Sequence, residues 1–283
     1  MKKVFGLALC LVGGGICALG LPISSKTRGA QAAGAQATTS ATESDRVPVL
    51  VELFTSEGCS SCPPADALLT QIDQRQPFSS AKVIAIEEHV DYWDQQGWKD
   101  PFSSAEWTFR QNEYTGTLHT GSSYTPEMVV DGTQGFTGNR GAEAKAAIEK
   151  AAGMKKASVL ISEVSPPQSK AVVLKVDVSQ LAGNPKDGAQ VLLAITETGL
   201  HSSVKEGENA GRELQHSPVL REMKTIGTAG KNGQGDFSTQ QTVKLDSEWK
   251  LANLRAVAFV QEKKSRKVLG AAEIPLTPQE ALR

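Results

Sequence analysis

A Cys-x-x-Cys pair, Cys59 and Cys62, stands between a nearly continuous apolar run and a helically spaced one, and this constrains the fold more than any other feature. The run Val47-Pro-Val-Leu-Val-Glu-Leu-Phe54 has the make-up of a strand buried on both faces. Thr55-Ser-Glu-Gly58 breaks it. Ala65, Leu68, Leu69 and Ile72 then recur at helical spacing, so an amphipathic helix is expected from Pro63 through Ile72. A thiol at a helix N-terminus meets backbone amides and the positive end of the helix dipole, which bring a cysteine pKa from about 8.5 to about 3.5–7.5. Cys59 is therefore expected as the attacking thiol. Cys62, one turn into the helix and more shielded, is expected as the resolving one.

The remaining cysteines, Cys10 and Cys17, fall in an uncharged apolar run from Val4 to Leu21 that follows Lys2 and Lys3. That layout reads as a secretory signal, with an uncleaved N-terminal membrane anchor as the alternative, and residues 1–37 are expected to form a signal peptide and flexible tether. Cleavage would leave one Cys-x-x-Cys in an oxidising compartment, periplasmic or outside the cell, with no membrane span. A bridge this short closes a small loop and restrains the unfolded chain little, which argues against a mere staple. A structural zinc site needs about four ligands. No second Cys-x-x-Cys exists and His89, His119, His201 and His216 are scattered, so no metal is expected. The formal net charge of -1 gives no sign of a nucleic-acid surface.

Further strands are expected at Lys82–Ile86 and Glu127–Asp131, and helices from Phe102 to about Leu118, capped by Ser103 or Ser104, and from Gly141 to about Ala152. Strand and helix alternate, so residues 47–153 are expected to form an α/β domain. Beyond Gly153 the pattern changes. Ala157–Val164, Ala171–Val178, Ala189–Glu197, Phe237–Leu245, Asn253–Glu262 and Lys267–Ile274 read as strands without intervening helices. An all-β, sandwich-like domain over residues 157–276 is the expectation.

The stretches Val51–Asp66, His89-Val-Asp-Tyr-Trp-Asp94, Gly97–Ser103 and Tyr124-Thr-Pro-Glu-Met-Val-Val-Asp-Gly132 closely resemble a bacterial family of secreted thioredoxin-like proteins of unknown function. The resemblance extends through Gly207-Glu-Asn-Ala-Gly-Arg212. It implies a thioredoxin-like fold for the first domain, and a cis peptide at Pro126 facing the cysteines, with the Thr125 backbone open to a bound peptide. A proline that merely starts a strand is the plainer reading. The resemblance also implies a buried carboxylate beneath the pair, and Glu52 is the candidate, as proton acceptor for the resolving thiol. Its offset from Cys59 leaves open whether it faces the pair or solvent. His89, Trp93 and Trp98 lie where α/β loops gather beside a ligand and could form a substrate rim, or simply a packed loop. Lys205–Arg212 reads as a solvated loop between strands, although Arg212, His216 and Arg221 could bind an anion or pack against the first domain.

The function expected from these residues is thiol–disulfide exchange by Cys59 and Cys62 with a protein or small thiol partner, needing no cofactor. The alternative is a non-catalytic binding protein whose Cys-x-x-Cys disulfide stays closed.

Overall fold

The two cysteines sit at the end of a strand in the middle of a large mixed sheet. In the computed structural model, residues 46–168, 171–181, 188–216, 218–230 and 235–276 are described. The expected signal and tether lie outside them. Among the described residues no helix is long and apolar enough to cross a membrane.

The first half follows the hydrophobic pattern closely. β1 (Val47–Thr55) and β2 (Ala81–His89) pair in parallel, Val47 opposite Ala81 through Thr55 opposite His89. Both are buried on both faces along most of their length, as their near-continuous apolar character requires. α1 (Pro63–Arg75) crosses between them and closes on Gln76, which takes a left-handed conformation. α2 (Ala105–Leu118) is capped by Ser104, whose side chain accepts from the Glu106 amide. β3 (Glu127–Val130) runs antiparallel to β1, pairs with β4 (Gln134–Thr137), and leads into α3 (Gly141–Ala152). Val51 and Leu53 of β1 and Val83 and Ala85 of β2 pack with Leu69 of α1 and Ile148 of α3. Leu50, Ile84 and Ile86 face the other way, toward Trp107 of α2.

The second half supplies β5 (Ser158–Gln168), β6 (Ala171–Ser179), β7 (Ala189–Glu197), β8 (Leu200–Ser203), β9 (Glu213–His216), β10 (Val219–Ala229), β11 (Phe237–Lys244), β12 (Leu254–Glu262) and β13 (Val268–Pro275). Six of these lie where the alternation places them; β8, β9 and β10 escaped it. β10 corrects the expected fold class. It pairs in parallel with β2 at Val219 and Glu87, and the Glu87 amide donates to Pro218 O at 2.8 Å. The result is one eight-stranded sheet in the order β13-β12-β7-β10-β2-β1-β3-β4, with β11-β6-β5 as a separate three-stranded sheet and β8-β9 as a hairpin.

The chain is thus not an α/β thioredoxin-like domain followed by an all-β sandwich-like domain. It is mostly β, with three α-helices among the described residues. The physical reason lies at the edge of β2. A strand apolar on both faces still carries unpaired amides and carbonyls along its free edge, and β10 covers part of that edge. Leu192, Leu220 and Phe259 then join Leu50, Ile86 and Trp107 in one apolar cluster. A further cluster fills the space between the three-stranded sheet and the outer strands, with Leu174 and Val176 beside Val191, Leu193 and Val260.

Candidate functional site

After β1 the chain makes a tight turn. Cys59 N donates to Ser56 O at 3.1 Å and Cys62 N to Cys59 O at 3.2 Å. The two cysteines, with Cα atoms 5.5 Å apart, form a disulfide. Cys62 is not one turn into the helix, as expected, but the residue just before it. Pro63 and Pro64 explain the difference, because proline is tolerated only in a helix's first turn and therefore fixes where α1 begins. They also remove two amide N–H groups that would face an anion there, so the amide support for a thiolate is smaller than the motif implies. Cys59 and Cys62 are both 0% exposed, so the shielding expected of Cys62 extends to Cys59, while Ser60 and Ser61 are exposed.

The cover comes from the far half of the chain. Val204 and Arg212 close a loop, with Val204 N donating to Arg212 O at 3.0 Å and Gly211 N to Val204 O at 2.9 Å. From this loop, buried Asn209 donates through Nδ2 to Glu57 O at 2.8 Å and to Cys59 O at 2.9 Å. Glu208 accepts from Ser60 N at 3.1 Å and Ser60 Oγ at 2.6 Å. A segment expected to be a solvated connection therefore docks on the cysteine turn. Gly207, at φ +75°, lies so close that an added Cβ would stand 3.2 Å from Trp98 Cβ.

Trp93, Thr125 and Pro126 come together beside the turn. Trp93 Nε1 donates to Thr125 Oγ1 at 2.8 Å, and a Cβ added to Gly58 would meet Trp93 Cβ at 3.0 Å. The Thr125–Pro126 bond is cis. A Cβ added to Gly138 would lie 3.3 Å from Pro126 Cβ and 3.2 Å from Ala65 Cβ, which sets the proline near the first turn of α1. Trp98 and His89 point inward. Trp98 Nε1 donates to Glu57 Oε2 at 2.8 Å, and His89 Nδ1 is 2.7 Å from Asp100 Oδ2.

Glu52 stands elsewhere. Strand alternation puts it with Leu50 and Phe54 on the α2 face, opposite Val51 and Leu53. There its carboxylate pairs with the Arg110 guanidinium and accepts from Tyr114 Oη at 2.5 Å. Burial, and then the neighbouring Glu52, hold the Glu88 carboxyl well above its usual range. The carboxylate on the cysteine side is Asp66, whose amide donates to Cys62 O at 3.2 Å and whose Oδ1 accepts from Thr55 Oγ1 at 2.6 Å. Burial, reinforced by Glu87, pushes the Asp66 carboxyl up to about 7. The signal for it in sequence was the four-residue step from Cys62, which on a helix returns to the same face.

Behind Asp66 lies a buried group that no linear motif announced: Glu57, Glu87, His89, Asp100 and His216. Burial opposes charge on His89, but Asp100 outweighs it and raises the ring to about 9. Burial likewise opposes charge on Glu87, yet His216 and His89 hold it down at about 2. Adjacent to these groups, an open groove between α1 and the β8–β9 hairpin is lined in part by Pro63, Asp66, Thr70, Gln215 and His216. The site therefore combines a disulfide, an acid that exchanges its proton near neutrality, and a solvent-facing groove.

The sequence profile of a family described as "Protein of unknown function (DUF1223)" matches residues 50–261, which run from β1 through β12 and include every residue of this site. The chain belongs to the DUF1223 family. No curated protein sequence matches it. Among solved structures, this DUF1223 chain is similar to an Agrobacterium tumefaciens protein from a structural genomics programme, at 24% identity and a TM-score of 0.57, covering 82% of this chain and 96% of that one. It is also similar to HBP35 of Porphyromonas gingivalis, at 14% identity and a TM-score of 0.62, covering 83% of this chain and 77% of that one. At these identities the likeness is one of fold.

Proposed function

We propose that this DUF1223 protein is an exported thiol–disulfide exchange protein acting in the periplasm or outside the cell, with Cys59 and Cys62 as its redox centre. The observation that carries the reading is the placement of the disulfide. It joins residues three apart, where it can restrain the unfolded chain only slightly, and it lies one helical turn from the buried acid Asp66. Strand, cysteine pair, helix and Thr125–Pro126 also occur in the order used around the cysteines of thioredoxin-like oxidoreductases. That supports the reading at the level of the site.

In the exchange, a partner thiolate attacks one sulfur of the Cys59–Cys62 bond, forms a mixed disulfide and expels the other cysteine as a thiolate. A second partner thiol, losing its proton, attacks the mixed disulfide. The partner leaves as a disulfide, oxidised by two electrons, and the protein as a dithiol. Asp66 serves as the proton exchanger for Cys62, and Trp93 with Thr125 borders the face where the partner lies. The reverse sequence starts from the dithiol and reduces a partner disulfide. No cofactor enters either direction. Export is inferred from Lys2, Lys3 and the apolar run after them.

A second reading, a binding protein with a permanently closed disulfide, is favoured by the complete burial of both sulfurs. Mixing the reduced protein with oxidised glutathione and trapping thiols with an alkylating agent separates the two. Closure of the Cys59–Cys62 bond in seconds to minutes, with Cys59→Ser and Cys62→Ser stopping at a glutathione mixed disulfide, supports the first reading. A wild-type protein that resists reduction except when unfolded supports the second.

A further inference from the structure

Two of the histidines that lie far apart in sequence meet behind the cysteine turn. His89 ends β2 and His216 ends β9, and their rings are 4.7 Å apart between centroids. Glu87, two residues before His89 on the same face of β2, stands between them. His89 Nε2 is 3.5 Å from Glu87 Oε1, and His216 Nδ1 is 2.8 Å from the same oxygen. One nitrogen or oxygen from each of the three side chains falls within 4.8 Å of the others. All three are fully buried or nearly so, and His89 Nε2 aims into this space without a hydrogen bond.

The opposite nitrogen of the His89 ring is held by a separate carboxylate, Nδ1 lying 2.7 Å from Asp100 Oδ2. His216 Nε2 lies 3.2 Å from Glu57 Oε1 without a hydrogen bond between them. Both carboxylates are fixed in turn. Asp100 accepts from the Glu57 and Phe102 amides at 2.8 and 2.9 Å, and Glu57 accepts from Trp98 Nε1 at 2.8 Å. A carboxylate that grips the far nitrogen of a histidine, setting its tautomer and orientation as Asp100 does for His89, is the usual outer shell of a metal-binding imidazole.

The geometry points to a divalent transition-metal site, of the zinc type, formed by Glu87 Oε1, His89 Nε2 and His216 Nδ1. Two imidazoles and a carboxylate are a donor set that zinc takes with three protein ligands, leaving one tetrahedral position for water. Metal–ligand bonds of about 2.0–2.2 Å place tetrahedral donors roughly 3.4 Å apart. The 3.5 Å pair already fits, and the 2.8 Å pair needs to open by about half an ångström. The groove that reaches His216 past Thr70, Gln74 and Gln215 gives an ion its way in. The site takes no sulfur ligand, although Glu87 and His216 also act on the nearby Asp66 carboxyl.

The test uses the full folded protein with its disulfide closed, so that no thiolate competes. After treatment with a chelator it is titrated with zinc chloride by calorimetry, and bound zinc is counted by elemental analysis. One zinc per chain is expected, with a higher melting temperature in its presence. His89→Gln and His216→Gln are expected to abolish uptake, and Asp100→Asn, which removes only the orienting carboxylate, to weaken it about 10–100-fold. X-ray absorption of zinc in the wild-type protein is expected to show imidazole scattering and no sulfur, a readout that stands even if the histidine variants fail to fold. No uptake by the folded protein, undiminished uptake in both histidine variants, or sulfur in the zinc shell would overturn the assignment and leave the cluster an ion-pair network. The glutathione assay, run on zinc-free wild-type protein, reads the exchange activity separately from zinc uptake.

Discussion

Asn209 holds the main chain of the cysteine turn by two hydrogen bonds, and both acceptors, Glu57 O and Cys59 O, are buried with it. Asn209→Ala would leave Glu57 O without this donor, whereas Cys59 O keeps the Cys62 amide. An unsatisfied buried group costs about 1–3 kcal/mol, so a loss of roughly that size is expected in urea unfolding. Glu127 gives a test of a different kind. Its carboxyl is buried beside Gln111, which donates to it at 2.8 Å, and burial raises its pKa to about 7 from the ordinary 4.5. The folded state therefore favours the protonated acid. Its contribution to stability is complete below about pH 4.5 and fades as the pH rises to about 7. Glu127→Gln, which cannot ionise, is expected to gain about 2–3 kcal/mol on the wild type between pH 4.5 and pH 8. Urea midpoints at the two pH values check this; a constant difference would mean that Glu127 titrates as it does in the unfolded chain. At this scale the sequence was legible where chemistry is local. Cys59, Cys62, Thr125, Pro126 and Trp93 meet around one turn. Glu52 was misplaced because a strand's alternation decides its face, and the run Val47–Phe54 is apolar on both. Glu87 went unread and His216 was not placed beside it because strands far apart in the chain bring them together; Asp66 was missed although its four-residue step from Cys62 is local.

The element that matters most to the site is the loop from Val204 to Arg212. Nothing in its glycines and charges distinguishes a solvated connection from a cover, and only Asn209 and Glu208 reaching across to Glu57, Cys59 and Ser60 makes it one. Both cysteines are fully buried, and movement of this loop is the expected route by which a partner reaches a sulfur. Removing its attachments with Glu208→Ala and Asn209→Ala together should speed reduction of the disulfide by dithiothreitol about tenfold or more, each factor of ten corresponding to about 1.4 kcal/mol of opening free energy. Alkylation of the freed thiols over time reads the rate. An unchanged rate in a variant that stays folded would show that partner thiols reach the disulfide by another face. Most other elements were legible, because hydrophobic period marks strands and helices wherever burial is one-sided or complete. β8, β9 and β10 were not: β8 and β9 are short, and β10 mixes Arg221, Glu222 and Lys224 with Val219 and Leu220.

Across the whole molecule, one sheet joins the two halves. β10 supplies the partner of β2, and His216, three residues before β10, completes the charged cluster behind the disulfide. Sequence patterns could show six strands in the second half but not which edge they would meet, and that choice decides the fold. A fragment of residues 47–153 would expose the edge of β2 and leave Glu87 without His216, so it is expected to be insoluble or unfolded by circular dichroism, while the full mature chain unfolds in one transition. A soluble, folded fragment would contradict this dependence.

The reduction potential of the Cys59–Cys62 bond decides whether it is a working redox centre or a staple. The folded protein is equilibrated in glutathione or dithiothreitol buffers of graded poise, and its thiols are trapped and counted. A potential between about -270 and -120 mV is expected, the range of proteins that exchange disulfides for a living. A value well below about -300 mV would contradict the account and make the disulfide structural.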